Sequence, residues 1–373
     1  MNRYLFDFIS KDLTKKAVLL SGPRQVGKTT FAKSLSKNSE YLNYDIVSDR
    51  RIILAQAWKK TAPLVILDEI HKFKRWKNLL KGVIDAYQNT PPLLVTGSAR
   101  LEVFRKAGDA LTGRTFSYHL HPIDVAEACY LKPDISPDKH VDFILAHGGF
   151  PESFYDPENS QRYLNDRLST VLREDLRDLS VISNVKGVEL LVELLRERVG
   201  GQLTYANLAK DLSVSPPTVK VWIELLEKLY IIFLLRPYSK RLSKSIRKEP
   251  KCFFFDCAAA TNGESARLEN LAALALIKWS DFERDVKGRN IKISYYRDTS
   301  HREVDFIITE GSAVLACIEV KTSEDAPSPS LKFITEKLKP KYSFQLVKDL
   351  VREADHGAIK IRALAPWLRG IDL

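Results

Sequence analysis

Cysteine is scarce. The 373 residues contain four, Cys129, Cys252, Cys257 and Cys317, and no two have the C-x-x-C spacing of a zinc site. That excludes the disulfide framework of a small secreted domain and points to free core thiols in a reducing compartment. No apolar run is long enough to cross a bilayer. The first residues, Met1-Asn2-Arg3-Tyr4-Leu5-Phe6-Asp7-Phe8, lack the apolar segment of a secretory signal. The expectation is a cytoplasmic protein without a membrane partner. Internal repeats, low-complexity tracts and coiled-coil heptads are also missing, which excludes solenoids and fibrous folds. Positive charge is in surplus, a formal +11, and it directs attention to nucleic acid. The length suffices for roughly two or three domains with cores of their own.

The densest signal is Ala17-Val18-Leu19-Leu20-Ser21-Gly22-Pro23-Arg24-Gln25-Val26-Gly27-Lys28-Thr29-Thr30. An apolar strand runs into a glycine-bounded loop that opens a helix at about 28–37, with the G-x-x-x-x-G-K-T spacing of a phosphate-binding P-loop. Gly22 and Gly27 allow the backbone N–H groups to converge on an anion, and the helix N-terminus adds a favourable dipole. Residues 22–30 are the expected nucleotide-binding segment. Lys28 is expected on the β- and γ-phosphates of ATP, and the Thr29 hydroxyl on the bridging Mg²⁺.

Further strands are expected at 41–45, 63–69 and 92–98, with a helix over 76–87. The run Pro63-Leu64-Val65-Ile66-Leu67-Asp68-Glu69 reads as a strand buried on both faces of a parallel sheet, its acids at the carboxyl end where such sheets bind ligands. Asp68 is expected to hold Mg²⁺ through water and Glu69 to polarise the attacking water. Capping of the next helix is the plainer use of two such acids. Ser98, ending the following strand, is either a hydroxyl that senses the γ-phosphate or a helix cap. Arg114, on the hinge Leu111-Thr112-Gly113-Arg114, is either an arginine finger acting in cis or across a subunit boundary, or a structurally paired side chain.

Together, Gly22–Thr30, Leu67-Asp68-Glu69-Ile70, Val95-Thr96-Gly97-Ser98, Leu111–Arg114 and Gly148-Gly149-Phe150-Pro151-Glu152 resemble the prokaryotic AAA+-type ATPases that carry a C-terminal domain of unknown function. The resemblance covers nearly the whole chain. His71 departs from it, standing where that family usually has Gln, so no role for an amide there carries over.

After Pro151 the periodicity is helical. Leu164, Leu168, Val171, Leu172, Leu176 and Leu179 mark an apolar face, with Arg167, Arg173, Glu174, Asp175, Arg177 and Asp178 on a charged outer face. A second helix is expected over 188–199, stopped by Gly200-Gly201. The segment 203–220 reads as a helix-turn-helix, with Thr204 and Ser215 as caps and Pro216 at the first helical position. A wing-like strand follows at 231–235. Thr218, Lys220 and Lys210 would face DNA. Lys240, Arg241, Lys244, Arg247 and Lys248 form a basic run that either grips phosphates or is simply solvated.

The last third again alternates strands and helices. Strands are expected at 252–256, 291–297, 303–308 and 313–321, with a helix over 264–279. Glu319 and Lys321 share one face of their strand, and Asp305 can lie beside them on the neighbouring strand. This set, with Glu269 on the preceding helix, resembles the PD-(D/E)XK nuclease-like fold. The resemblance implies that Asp305 and Glu319 ligate Mg²⁺ and that Lys321 orients or deprotonates the nucleophile. Relatives that keep the shape for binding alone are also known, so cleavage and binding both stay open.

The expected architecture is α/β: an AAA+-type P-loop parallel sheet (1–130), a helical connection (131–200), a winged-helix-like region (201–250) and a restriction-endonuclease-like α/β domain (251–373). The expected function is ATP binding and hydrolysis coupled to recognition of nucleic acid, DNA rather than RNA, by a chain able to form homo-oligomers. The alternative is a nucleotide-gated module that contacts nucleic acid or protein without cutting. A remodelling ATPase acting on unfolded polypeptide is a third reading, which nothing in the sequence favours.

Overall fold

The apolar runs that predict a parallel sheet form one in the computed structural model, which describes residues 3–97, 110–175, 184–239, 249–324 and 326–373. The chain divides into two units, Met1–His121 with Asp285–Lys287, and Pro122–Arg284 with Gly288–Leu373. In the first, β1 (Ala17–Ser21), β2 (Glu40–Asn43), β3 (Val65–Asp68), β4 (Leu93–Thr96) and β5 (Thr115–His119) are ordered β2-β3-β4-β1-β5. Every pairing is parallel. Every residue of β1, β3 and β4 is buried, which explains why those strands read as continuous apolar runs rather than alternating ones. The helix Trp76–Tyr87 matches its expected span and buries Trp76, Leu80, Val83 and Ile84, one stripe at helical spacing.

The second unit begins with the helices Val125–Leu131, Pro137–His147, Pro151–Tyr155, Ser160–Thr170 and Val185–Arg196. Two further helices, Tyr205–Asp211 and Pro216–Lys228, are joined by a short turn in which Ser213 has φ +53°. Ser215 accepts a hydrogen bond from the Thr218 N–H and so caps the second of them as expected. Thr204 does not cap the first; its hydroxyl donates to Glu249 instead. Strands β6 (Ile232–Leu235) and β7 (Lys251–Phe254) pair antiparallel.

The helix Glu264–Lys287 is longer than its expected span, and it leads to a mixed sheet ordered β12-β13-β11-β10-β9-β8. Its strands are β8 (Ile291–Arg297), β9 (Glu303–Glu310), β10 (Ala313–Lys321), β11 (Tyr342–Val347), β12 (Ala354–His356) and β13 (Ile359–Ala363). Strands β9 and β10 pair antiparallel around Gly311, which takes φ +58°, whereas β10, β11 and β13 run parallel. One apolar core connects the helices, the β6–β7 pair and this sheet, from Ile123 through Trp222 and Phe253 to Phe306 and Leu368. Described residues of 131–200, 201–250 and 251–373 therefore contribute to one core.

Arg167 is a correction to the expected charged outer face. It is only 6% exposed, stacks 3.5 Å from the Phe150 ring centroid and pairs with the buried Asp256. The Gly148–Glu152 segment makes room for this pair. Gly148 has φ +81°, and a Cβ there would come within 3.0 Å of the Asp256 carboxyl carbon; a Cβ on Gly149 would strike the Ile123 carbonyl. The glycines thus keep a buried ion pair closed beneath the start of the helix Pro151–Tyr155. Leu176, Leu179, Arg177 and Asp178 lie outside the described residues. Gly148→Ala is expected to destabilise the protein by about 3 kcal/mol, combining positive-φ strain with disturbance of a buried charge pair. Chemical denaturation at fixed pH measures this, and a loss under about 0.5 kcal/mol would contradict the assigned packing.

Candidate nucleotide site and C-terminal carboxylate cluster

The strand register of the first unit builds a polar cluster at the carboxyl ends of the strands. Asp68 ends β3 directly opposite Thr96 on β4 and Asn43 on β2. Its Oδ1 accepts from the Thr96 hydroxyl at 2.6 Å and the Glu69 N–H at 3.0 Å. Its Oδ2 accepts from the Thr29 and Tyr41 hydroxyls, each at 2.8 Å. Burial and the Asp68 charge push the Tyr41 phenol well above its ordinary range, so it remains a donor.

The P-loop lies beside this cluster. Gly22 has φ +150° and Gly27 φ +91°, and a Cβ on Gly22 would collide with the Leu120 carbonyl oxygen. Pro23, Arg24, Gln25 and Val26 lie between these glycines, with Gln25 at φ +63°. Lys28, 9% exposed, donates from Nζ to the carbonyls of Gly22 at 2.9 Å and Pro23 at 2.6 Å. Thr29 is half-buried and Thr30 is exposed. From the other side, Arg3 donates to the carbonyls of Val26 at 3.1 Å and His121 at 2.7 Å, bracing the loop.

Glu69 follows with φ +56°, a left-handed conformation that is uncommon outside glycine and asparagine. Its Oε2 lies 3.5 Å from His71 Nε2 and 3.7 Å from Lys72 Nζ. Burial first, and then the neighbouring Asp68, raise the Glu69 carboxyl above its ordinary range. Thr29 and Asp68 supply hard oxygen donors side by side, a set that suits Mg²⁺, and Lys28 supplies the point charge that suits a polyphosphate. Arg114 makes a bidentate pair with the exposed Asp85, at 2.7 and 3.1 Å. Ser98 lies outside the described residues.

Sequence reading did not single out Thr96 or Tyr41. The matching strand ends place Thr96 and Asn43 opposite Asp68 once the strand order is known, whereas Tyr41, two residues before the end of β2, reaches Asp68 only through its long side chain.

In the second unit the expected carboxylates are near one another but are divided between partners. Asp305 accepts the Val320 N–H at 2.9 Å, which links β9 to β10. Glu319 accepts from the Ser328 hydroxyl and pairs with Lys321 at 3.0 Å. Glu269 pairs instead with Lys251 at 2.8 Å, and the same ammonium reaches Glu303 at 2.5 Å and Asp305 at 3.7 Å. Burial raises the carboxyls of Glu269, Asp305 and Glu319 above the ordinary range. Burial also opposes the Lys251 charge, but Glu269, Asp305 and Glu303 outweigh it and hold the ammonium above its ordinary range. Among the described residues, no three His, Cys, Asp or Glu side chains are grouped so that they could hold a metal ion.

On the helix Pro216–Lys228, Lys220 is exposed and lies 3.9 Å from Glu224; Lys210 is exposed on the preceding helix and Thr218 is half-buried. Lys240, Arg241, Lys244, Arg247 and Lys248 lie outside the described residues.

Comparison with known proteins assigns the chain in three parts. Residues 14–129 match a family described as AAA domain, and this span contains the P-loop and the Asp68 cluster. Residues 138–264 and 265–364 match two domains of unknown function, DUF8612 and DUF4143. Uncharacterized proteins of Mycobacterium bovis and Mycobacterium tuberculosis are each 24% identical over 245 residues, covering 64% of this chain and 54% of the relative. The chain thus spans about half the length of these curated relatives. Among solved structures, the Aeropyrum pernix ORC1 protein in complex with DNA is 13% identical, with 73% of this chain and 93% of that one covered at a TM-score of 0.33. A Signal Transduction ATPase with Numerous Domains from Pyrococcus horikoshii, carrying a tetratricopeptide repeat sensor, is 14% identical, with 76% and 47% covered at a TM-score of 0.30.

Thr96 is fully buried, and its hydroxyl serves an equally enclosed carboxylate. Thr96→Val is therefore expected to cost about 2 kcal/mol in stability, because the buried Asp68 Oδ1 loses one of its two donors. Urea unfolding of the two proteins checks this; equal midpoints would mean that the Thr96 bond does not matter to the cluster.

Proposed function

We propose that this chain binds and hydrolyses ATP with Mg²⁺ in its first unit and couples the nucleotide state to contact with DNA through its second. The observation that carries the first part is the convergence of Thr29, Asp68 and Glu69 next to Lys28 at the carboxyl edge of a parallel sheet. Lys28 would hold the β- and γ-phosphates, Thr29 and Asp68 would hold the metal, and Mg²⁺ would offset the charge that develops on the transferred phosphoryl group. Glu69 would orient and deprotonate the attacking water. Its raised pKa suits a base, because it accepts a proton more readily than an ordinary glutamate does. Arg114 would leave Asp85 to act as an arginine finger, a role for which an exposed pair is a weak restraint.

The DNA part rests on the surplus of positive charge and on the helix pair 205–228, a winged-helix arrangement when read with β6 and β7. Lys220 and Lys210, with Thr218, would meet the duplex, together with the basic run Lys240, Arg241, Lys244, Arg247 and Lys248. For the C-terminal sheet, Mg²⁺-dependent cleavage would use Asp305, Glu319 and Lys321 with Glu269. The partnering of Glu269 and Asp305 with Lys251 favours the other reading, a nuclease-like fold used for contact without cleavage.

Lys28→Ala is expected to lower ATP turnover at least 100-fold with the fold retained by circular dichroism. Glu69→Gln should keep nucleotide binding while losing turnover to a similar degree. Turnover near wild type in Lys28→Ala would overturn the site. In the wild type, acidification should abolish turnover at a pH above the ordinary glutamate range, because the raised Glu69 carboxyl takes up its proton early.

Fluorescence anisotropy with duplex DNA tests the second part. Lys210→Glu with Lys220→Glu should weaken binding roughly tenfold and flatten its salt dependence. Unchanged affinity would remove this helix pair from the interface.

A further inference from the structure

The position of Lys251 is unusual for a lysine. It is 2% exposed on β7, a strand edge, and its side chain points into a pocket of acids. Its Nζ lies 2.8 Å from Glu269, 2.5 Å from Glu303 and 3.7 Å from Asp305, and 5.6 Å from the Tyr295 ring centroid. These acids come from the helix Glu264–Lys287 and from β9, so three separate elements meet at one ammonium.

The surroundings fix this meeting. Asn270, fully buried and adjacent to Glu269, accepts from the Phe254 N–H at 2.7 Å and donates to the Phe254 carbonyl at 3.0 Å, clamping β7 to the helix. On its other edge β7 pairs with β6, and on the edge away from β6 the Lys251 backbone forms an isolated antiparallel bridge to Gln202. Gly200 supplies room for Glu269, since a Cβ there would come within 2.7 Å of a carboxylate oxygen. Arg297 holds the second oxygen of Glu303 at 2.9 Å.

We propose that Lys251 is the resident cation of the Glu269–Glu303–Asp305 cluster, gathering the acids around an ammonium rather than in a set that could hold a divalent metal, so that the wild-type cluster takes up no metal. The ammonium contacts Glu269 and Glu303 directly and stands near enough to Asp305 to offset part of the cluster's charge. A divalent ion would have to displace it and leave a buried lysine unpaired, at heavy cost. The remaining acid, Glu319, is held by Ser328 and Lys321 and is not left over as a ligand. This inference extends the non-cleaving reading of the C-terminal sheet. Its test measures metal uptake rather than cleavage, so the two can fail separately.

Mn²⁺ binding to the nucleotide-free full chain, followed by electron paramagnetic resonance, decides it. Wild type and Asp305→Asn should bind the same number of Mn²⁺ ions, any contribution from the Thr29–Asp68 site being common to both. Lys251→Met, which frees the acids to regroup, should gain about one ion per chain, lost again in Lys251→Met/Asp305→Asn. Loss of one bound ion on going from wild type to Asp305→Asn would overturn the proposal, as would a folded Lys251→Met with no gain. Lys251→Gln is the milder variant, and if neither folds, comparing wild type with Asp305→Asn still separates an ammonium-filled cluster from a metal-binding one. Metal uptake by wild type that is lost in Asp305→Asn, without DNA cleavage, would sink this inference and leave the non-cleaving reading standing.

Discussion

The Asp68 carboxylate is the interaction on which the first unit depends. It accepts from Thr29, Tyr41, Thr96 and its own neighbour's N–H. These donors come from the P-loop helix, β2, β4 and the turn after β3, so one charge ties four segments together. Buried and only 4% exposed, that charge is tolerable because every donor is aimed at it. The same oxygens suit Mg²⁺, and loading a metal would exchange hydroxyl donors for the ion. In the proposed function, one group would serve both as a stability device and as part of the nucleotide site.

The second unit manages buried charge in the same way with different partners. Arg167 with Asp256, and Lys251 with Glu269, Glu303 and Asp305, are pairings of residues far apart in sequence. Each depends on a glycine at the point of closest approach, Gly148 in the first case and Gly200 in the second. Removing one partner of such a set exposes the other to the full desolvation penalty.

Much of the fold was legible. Continuous apolar runs located β1, β3 and β4, and the helix Trp76–Tyr87 and the strands Ile291–Arg297 and Ala313–Lys321 fall on their expected spans. These elements combine strong local periodicity with clear end signals. The P-loop was readable because its glycines and its Lys-Thr pair are set by local backbone geometry. What stayed hidden depends on long-range placement. Thr96 looks like any strand-end threonine until β4 is set beside β3. Arg167 looks like part of a solvated helix face until Asp256 arrives from 89 positions away. Lys251 closes a run of basic residues, and nothing local shows that its side chain turns inward to meet β9 and the long helix.

The Mg²⁺ dependence of ATP affinity in Asp68→Asn tests the central role of this carboxylate most directly. By calorimetry, the wild type should bind ATP more tightly when Mg²⁺ is added, whereas Asp68→Asn should bind ATP alone comparably and gain little from the metal. The same Mg²⁺ enhancement in both proteins would contradict Asp68 as the group that joins the P-loop to its metal.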